Sequence, residues 1–236
     1  FSGPTARPFA SKKAMTAFLK GLEKGLDSRL ETIQNNSKMG IANLTRTAGE
    51  VYTDLLELGS AYVPALTPVG EGDAVLAEQG YGILKGDILA GFLEGEAAKG
   101  LELLTGGPSA DILEIALPEG QVSVKVSSAC TKSRLEFQGD APAKLRLACK
   151  IGARLSEYRE RPDGQGLEHL RAALEDRERE RMAAALERLR VWGTDCAGLG
   201  ARAGMLCPAR WQAVQDSWPE WFGRVPVEIT VEVNLL

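Results

Sequence analysis

The stretch VWGTDCAGLGARAGMLCPARW, residues 191–211, places Gly198, Gly200 and Gly204 between two cysteines, and its reading separates two fold classes. A dinucleotide-binding loop is G-x-G-x-x-G directly after a strand and opening a helix. Here the spacing is G-x-G-x-x-x-G, and the element before it has helical periodicity. No strand pattern follows until residue 225, so no parallel βαβ unit is expected. A P-loop fails as well, because no Gly-Lys-Ser/Thr occurs. The glycines are therefore expected to end a helix and shape a loop, and the chain to be α+β rather than a nucleotide-binding α/β fold.

Working outward, GLEHLRAALEDRERERMAAALERLRVWG is the clearest helix, with Leu167, Leu170, Leu174, Met182, Leu186 and Leu189 on one face. Its central EDRERER run reads as a solvated face of opposite charges, and His169 as a partly exposed helix residue. On the other side, Trp211, Trp218, Trp221 and Phe222 have spacings that place them along one side of a helix starting after Pro208. The closing VPVEITVEVNLL alternates Val225, Val227, Ile229, Val231, Val233 and Leu235 with polar residues. That is a strand with one buried and one wet face, as in an antiparallel sheet covered by helices on one side.

Upstream, residues 111–158 read as three strands with turns at Pro118-Glu119-Gly120 and Gly139-Asp140. Val122, Val124 and Val126 share one parity and Leu135 and Phe137 the other, so the strand must bulge or bend between Ser127 and Ser133. A two-residue turn at Gly139-Asp140 would set Cys130 opposite Cys149. Pairing Leu135 and Phe137 with Leu145 and Leu147 shifts the register by one and separates the cysteines. The apolar match is favoured, since several buried side chains at about 1.5–3 kcal/mol each outweigh a disulfide worth about 2–4 kcal/mol.

Further upstream, AVLAEQGYGILKGDILAGFL reads as two strands around Gly86-Asp87. A short helix follows with Glu94 and Glu96 in its first turn, interrupted by Gly100 before Leu101, Leu103 and Leu104. TRTAGEVYTDLLELGSAY reads as a helix whose apolar side holds Val51, Leu55, Leu56 and Leu58, stopped by Gly59 and Pro64. TPVGEGD reads as a linker. Residues 12–34 carry a further amphipathic pattern (Met15, Phe18, Leu19, Leu22, Leu26, Leu30). The break at TGGPSAD divides two consecutive α+β units. Residues 1–107 form a helical lead-in plus a small α+β domain with a hairpin. Residues 108–236 form a C-terminal α+β domain, an antiparallel or mixed sheet with a long helix packed on one face.

The chain has 236 residues, 44% of them hydrophobic and 25% charged, which suits a globular protein. Its net charge of −4 comes with no Lys/Arg block free of acids, so nucleic acid is not expected as a partner. The charge also offers no attraction to anionic lipid, so membrane association should come from an anchor outside this sequence. No segment has the roughly 20 apolar residues of a membrane span. The sequence starts at Phe1 without a signal-peptide pattern and is expected to be a piece of a longer chain. Cys130, Cys149, Cys196 and Cys207 form no C-x-x-C pair and lie far from the single histidine, so free buried thiols are favoured over a disulfide or a metal site.

The collinear order of several segments resembles the C-terminal part of the Ger(x)C family, the lipoprotein C subunits of bacterial spore nutrient-germinant receptors. YGILKGDILAGFLEGEAAKGLELLTG is similar to that family's hairpin and acidic, glycine-marked helix start through Gly91, Glu94, Glu96 and Gly100. TDCAGLG resembles its Asp-x-x-Gly-x-Gly turn through Asp195, Gly198 and Gly200. PARWQAVQDSWPEWF resembles its Pro-x-x-Trp, Trp, Phe segment through Trp211, Trp218 and Phe222. The likeness spans roughly residues 40–236. Cys196 and Ala197 stand where the family usually has an aromatic pair, and the family's N-terminal domain and lipid-bearing cysteine are missing.

The resemblance implies a non-enzymatic subunit, without cofactor or metal, working with A- and B-type membrane-embedded receptor subunits. It implies a lipid anchor on the outer face of the spore inner membrane, with this fragment itself soluble. The resembling residues are then structural. Two other functions are distinguishable: a small-molecule binder using Trp211, Trp218 and Trp221 as a pocket wall, and thiol chemistry at Cys196 or Cys207, where Arg202 and Arg210 are near but no base is.

Overall fold

A computed structural model describes residues 46–69, 75–107, 112–117, 120–158 and 162–236. The amphipathic pattern at 12–34 lies outside the described residues, as does much of the linker at 67–73.

Helix α1 (Ala48–Leu58) opens with a reciprocal cap. The Glu50 amide donates to Thr47 Oγ1 at 3.2 Å, and the Thr47 amide to Glu50 Oε2 at 2.7 Å. Gly59, at φ +67°, ends it, so the helix stops before Tyr62. Leu56 on its apolar side is 69% exposed. Residues expected to end the helix and continue as loop form strand β1 (Ser60–Val69) instead. Pro64 and Pro68 are tolerated there because β1 is an edge, where an absent N–H costs no ladder bond. Strands β2 (Val75–Lys85) and β3 (Ile88–Leu93) complete an antiparallel sheet of order β1-β2-β3, with Gly86-Asp87 at the β2–β3 turn. Helix α2 (Gly95–Thr105) follows, and Gly100 lies inside it rather than interrupting it.

The second sheet runs β4-β5-β6-β7 through β4 (Ile112–Leu117), β5 (Gly120–Gln138), β6 (Ala141–Tyr158) and β7 (Val227–Leu235). The bulge expected between Ser127 and Ser133 falls between Val126 and Ser128, and the buried parity switches there from even to odd residues. A second bulge between Glu136 and Phe137 reconciles the two-residue turn with the apolar match. Gln138 pairs Ala141, yet Leu135 pairs Leu145 and Thr131 pairs Cys149. Cys130 faces Lys150 across the strands and is exposed, while Cys149 is buried; all four cysteines are free.

The long helix α3 (Gly164–Trp192) starts on Asp163, whose carboxylate accepts the Gly166 amide at 2.8 Å, and ends on Gly193 at φ +62°. It packs on α2 and on the second sheet. The chain then runs through α4 (Leu199–Gly204), α5 (Pro208–Val214), a 3₁₀ turn at Gln215–Ser217 and α6 (Trp218–Arg224). The aromatic segment is therefore broken pieces, not one helix. Pro219 at the start of α6 lacks the N–H a continuous helix would use.

This excursion returns β7 parallel to β6, with Leu145 opposite Val227 and Ala153 opposite Leu235. The sheet is thus mixed, one of the two forms expected for the C-terminal unit, while the likening of the last strand to one in an antiparallel sheet and the exclusion of a parallel crossover are corrected. Alternation reports which face of a strand is buried, and it carries no information about strand direction. The glycine stretch lies late in that crossover, after α3, and so never follows a strand as a nucleotide loop must. One buried hydrophobic cluster extends from Tyr81 and Leu104 through Val124, Leu147 and Leu189 to Phe222 and Val233.

Candidate functional site

The residues through which the sequence resembles the Ger(x)C family converge at two packed joints. The first is the turn after α3. Asp195, 7% exposed, accepts the Leu199 amide at Oδ1 (2.9 Å), and the Gly200 amide (2.7 Å) and Trp218 Nε1 (2.8 Å) at Oδ2. Burial lifts its carboxyl above the usual range, and these three donors and the charge of Arg202 oppose that lift. Gly198, at φ +66°, turns the chain into α4.

Gly200 and Gly204 are helical, a correction to their expected place in a loop. Their missing side chains make room for tryptophans. A Cβ on Gly200 would overlap the Trp218 ring and lie 2.8 Å from Trp211 Cη2, and one on Gly204 would lie 2.7 Å from Trp211 Cδ1. Trp211 meets Trp218 edge-on at 5.4 Å, and Trp218 lies 5.9 Å from Phe222. Periodicity cannot reveal such a close approach, because the glycines lie in α4 and the rings that fill their space arrive from α5 and α6. Arg202 donates to Thr131 O at 3.2 Å and to Leu104 O, tying α4 to β5 and α2. Burial lowers its pKa, opposed chiefly by Asp195.

The second joint lies between α2 and α3. A Cβ on Gly100 would overlap the Arg181 carbonyl oxygen, at 2.5 Å from its carbon and 2.9 Å from Ala185 Cβ. Arg181 Nε donates to Glu96 Oε2 at 2.5 Å and its Nη1 to Glu178 Oε1 at 3.0 Å. Glu178 and Arg181 are 0% and 2% exposed, so the EDRERER run is not wholly solvated. Burying them becomes tolerable once Arg181 lies between two carboxylates. Tyr81 Oη donates to the buried Glu102 at 2.8 Å, bringing the first sheet into the same joint. Gly91 of β3 lies under Trp192, with Lys85 Nζ donating to Trp192 O at 3.0 Å. Glu94 is the N-cap residue of α2.

The Glu96–Arg181 pair predicts a pH effect. Its hydrogen bond from Arg181 lowers the Glu96 pKa below 4.5. A depressed carboxylate contributes stability above the unfolded value and loses it as pH falls through the folded one. Wild type should therefore melt above Glu96→Gln near neutral pH, and that lead should shrink as pH falls below the ordinary glutamate value of about 4.3. Thermal melts across that range check this. The effect is modest, because 60% of the Glu96 side chain faces water.

A cleft of about 400 Å³ adjoins the first joint, lined in part by Ser60, Lys85, Asp195, Trp211, Asp216 and Trp218. Trp221 is not among its walls. Ser60 Oγ is buried and has no hydrogen-bond partner among the described residues. A larger hollow of about 610 Å³, beside Arg134, Phe137 and Arg210, holds no family-pattern residue. Among the described residues no three of His, Cys, Asp and Glu converge in metal-binding geometry, and no helix is long and apolar enough to cross a membrane.

The candidate thiols fare differently. Cys196 is 1% exposed, and burial with the neighbouring Asp195 charge pushes its thiol far above the usual range, away from the reactive thiolate. Cys207 is half-buried and Cys130 exposed. Alkylation of the native protein should label Cys130 first, with Cys149 and Cys196 reacting only on unfolding; peptide mapping reads the order. Rapid selective labelling of Cys196 would contradict this account.

Comparison with known proteins agrees with this architecture. Residues 79–236 match the family described as spore germination B3/GerAC like, C-terminal. A crystal structure of the GerBC protein superposes with a TM-score of 0.70 at 16% identity, covering 81% of this chain and 61% of that one. The chain thus spans about three fifths of the length of that protein, and the likeness is one of fold. No curated protein matches the sequence.

Proposed function

The chain belongs to the spore germination B3/GerAC-like C-terminal family, and from that premise we propose that it is the soluble part of a nutrient-germinant receptor C subunit. It acts without catalysis or cofactor, by assembly with A- and B-type membrane-embedded subunits. A lipid anchor outside this sequence holds it on the outer face of the spore inner membrane. Residues 1–107 and 108–236 are its middle and C-terminal units.

The observation that carries this reading is where the family pattern goes. Gly91, Glu96, Gly100, Asp195, Gly200, Trp211 and Trp218 are used in holding helices and sheets together. Residues spent on rigidity suit a protein that works through the surfaces it presents. The test is germination of spores whose only nutrient receptor is the one containing this subunit. Deleting the gene should abolish the nutrient response, and the tagged full-length protein should co-purify with the two membrane subunits. An undiminished response would overturn the proposal.

The cleft favours a second reading, a small-molecule site walled by Trp211 and Trp218, with a Ser60 hydroxyl beside it that has no partner among the described residues. Tryptophan fluorescence during amino-acid and sugar titrations decides it, and a flat response rejects it.

A further inference from the structure

The outer edge of β7 is built unlike the other sheet edges. Native edges are blunted by short length, proline or lysine. Strand β1 carries Pro64 and Pro68, and β3 and β4 have six residues each. Strand β7 runs nine residues, VEITVEVNL, with no Pro, Gly or Lys.

The direction of its amides follows from three bonds. Pro226 O accepts from Leu145 N at 2.9 Å and Leu236 N donates to Ala153 O at 2.8 Å, so even-numbered residues face β6. Val233 N points the other way and donates to Glu175 Oε1 at 3.0 Å. With the strand's period of two, Val227, Ile229 and Val231 turn their N–H and C=O groups to the open side. Among the described residues, Glu175 caps Val233 alone, which leaves Val227–Val231 as the run without a strand partner.

A groove of about 530 Å³ lies beside the Val227–Ile229 end of that run, walled by Ala183, Leu186 and Val191 of α3, with Glu187 and Arg190 of the same helix at its rim, and by Gly223, Val227 and Ile229. Val191 is 79% exposed. The groove is pre-formed, because Arg190 donates to the carbonyls of Phe222, Gly223 and Val225 at 3.0–3.1 Å and fixes the chain entering β7.

On the opposite face Glu228 bridges to Lys144 and Arg146, and Glu232 to Lys150, all of β6, so these bridges lie on the β6 side and Glu232 has a single cation. A strand added at the edge would stand directly beside both acids, where an opposite charge is favoured and a like charge disfavoured. A second β7 would bring two more acids and no cation.

We propose that the Val227–Val231 edge and its groove receive an extended segment of another protein chain by strand addition. Aliphatic side chains of that segment enter the groove, and alternating Lys or Arg residues meet Glu228 and Glu232. The inference rests on the edge geometry and not on the receptor role proposed above.

The test uses this chain and labelled peptides of about six residues alternating valine with lysine, alternating valine with glutamate, or with valines and lysines in two blocks. The alternating lysine peptide should bind about tenfold or more tighter than the other two. Val231→Pro removes an N–H that faces the open side, so it should still fold, with a modest loss of melting temperature from its half-buried side chain, and lose about tenfold in affinity. Bound peptide should slow amide exchange at Ile229 and Val231 in the wild type, a readout that decides alone if the proline variant fails to fold. No binding, equal binding of the three peptides, unchanged affinity in a folded Val231→Pro, or unaltered exchange would each overturn the proposal. A concentration-dependent dimer abolished by Val231→Pro would assign the edge to a second copy and overturn it too.

Discussion

Asp195→Ala is expected to unfold the protein about 10 °C below wild type, the largest effect of any side-chain truncation at the joints. The carboxylate satisfies the buried amides of Leu199 and Gly200 and the indole N–H of Trp218. Alanine leaves all three donors without an acceptor, at about 1–3 kcal/mol each before relaxation. Burying the charge opposes this, since desolvation is the largest influence on Asp195. Three charge-assisted hydrogen bonds outweigh that cost when the alternative is three orphaned donors. A net loss of about 3–5 kcal/mol follows, and at about 2–4 °C per kcal/mol for a chain of this size the melting temperature falls by roughly 10 °C. Asp195→Asn keeps one good acceptor and turns an NH₂ toward a donor, so it should fall between the two. A loss under about 1 kcal/mol for the alanine variant, read by denaturant titration, would show that the turn is not held by this carboxylate.

Gly100→Ala is the second. Helix propensity alone predicts a gain of about 0.8–1 kcal/mol, because glycine is the poorer helix former. Packing predicts the reverse. The new methyl would occupy the place of the Arg181 carbonyl, a backbone group in the middle of α3 that has no rotamer to escape into. Overpacking of this kind costs about 1–3 kcal/mol or more. Separating α2 from α3 would also strain the Glu96–Arg181–Glu178 contacts. A net loss of about 2 kcal/mol is expected. Gly49→Ala is the control, because among the described residues the methyl would meet only Thr47 Oγ1, at 3.9 Å. That variant should hold or gain stability. If both variants melt alike, the close approach of α2 and α3 is not a fixed feature of the fold.

Much of the architecture was legible because it is written in periodicity. The parity switch at Ser127, the hairpin at Gly86-Asp87 and the long amphipathic helix are patterns within one segment. The separation of Cys130 from Cys149 followed from weighing core burial against a crosslink, and the bulge at Glu136/Phe137 is how the chain satisfies both turn and core. What stayed hidden depends on a second segment. Pro64 and Pro68 look like loop residues until β1 is known to be an edge. Glu178 and Arg181 look solvated until α2 brings Glu96. Gly200 and Gly204 look like loop residues until two tryptophans arrive from α5 and α6. The direction of β7 depends on the path of everything between Tyr158 and Val227.

That path has a consequence in time. Leu145 and Val227 are neighbours in the finished sheet but far apart along the chain. Strands β4, β5 and β6 can pair as soon as they exist, since each turn is short. β7 can dock only after α3 has been laid down and the chain has travelled back through α4, α5 and α6. Closing such a long loop before any contact rewards it is slow. Until it closes, β6 presents an unpaired flank and α3 lacks part of its floor, so the sheet's last partner decides how long the newly made protein stays vulnerable to proteases and to mispairing with its neighbours.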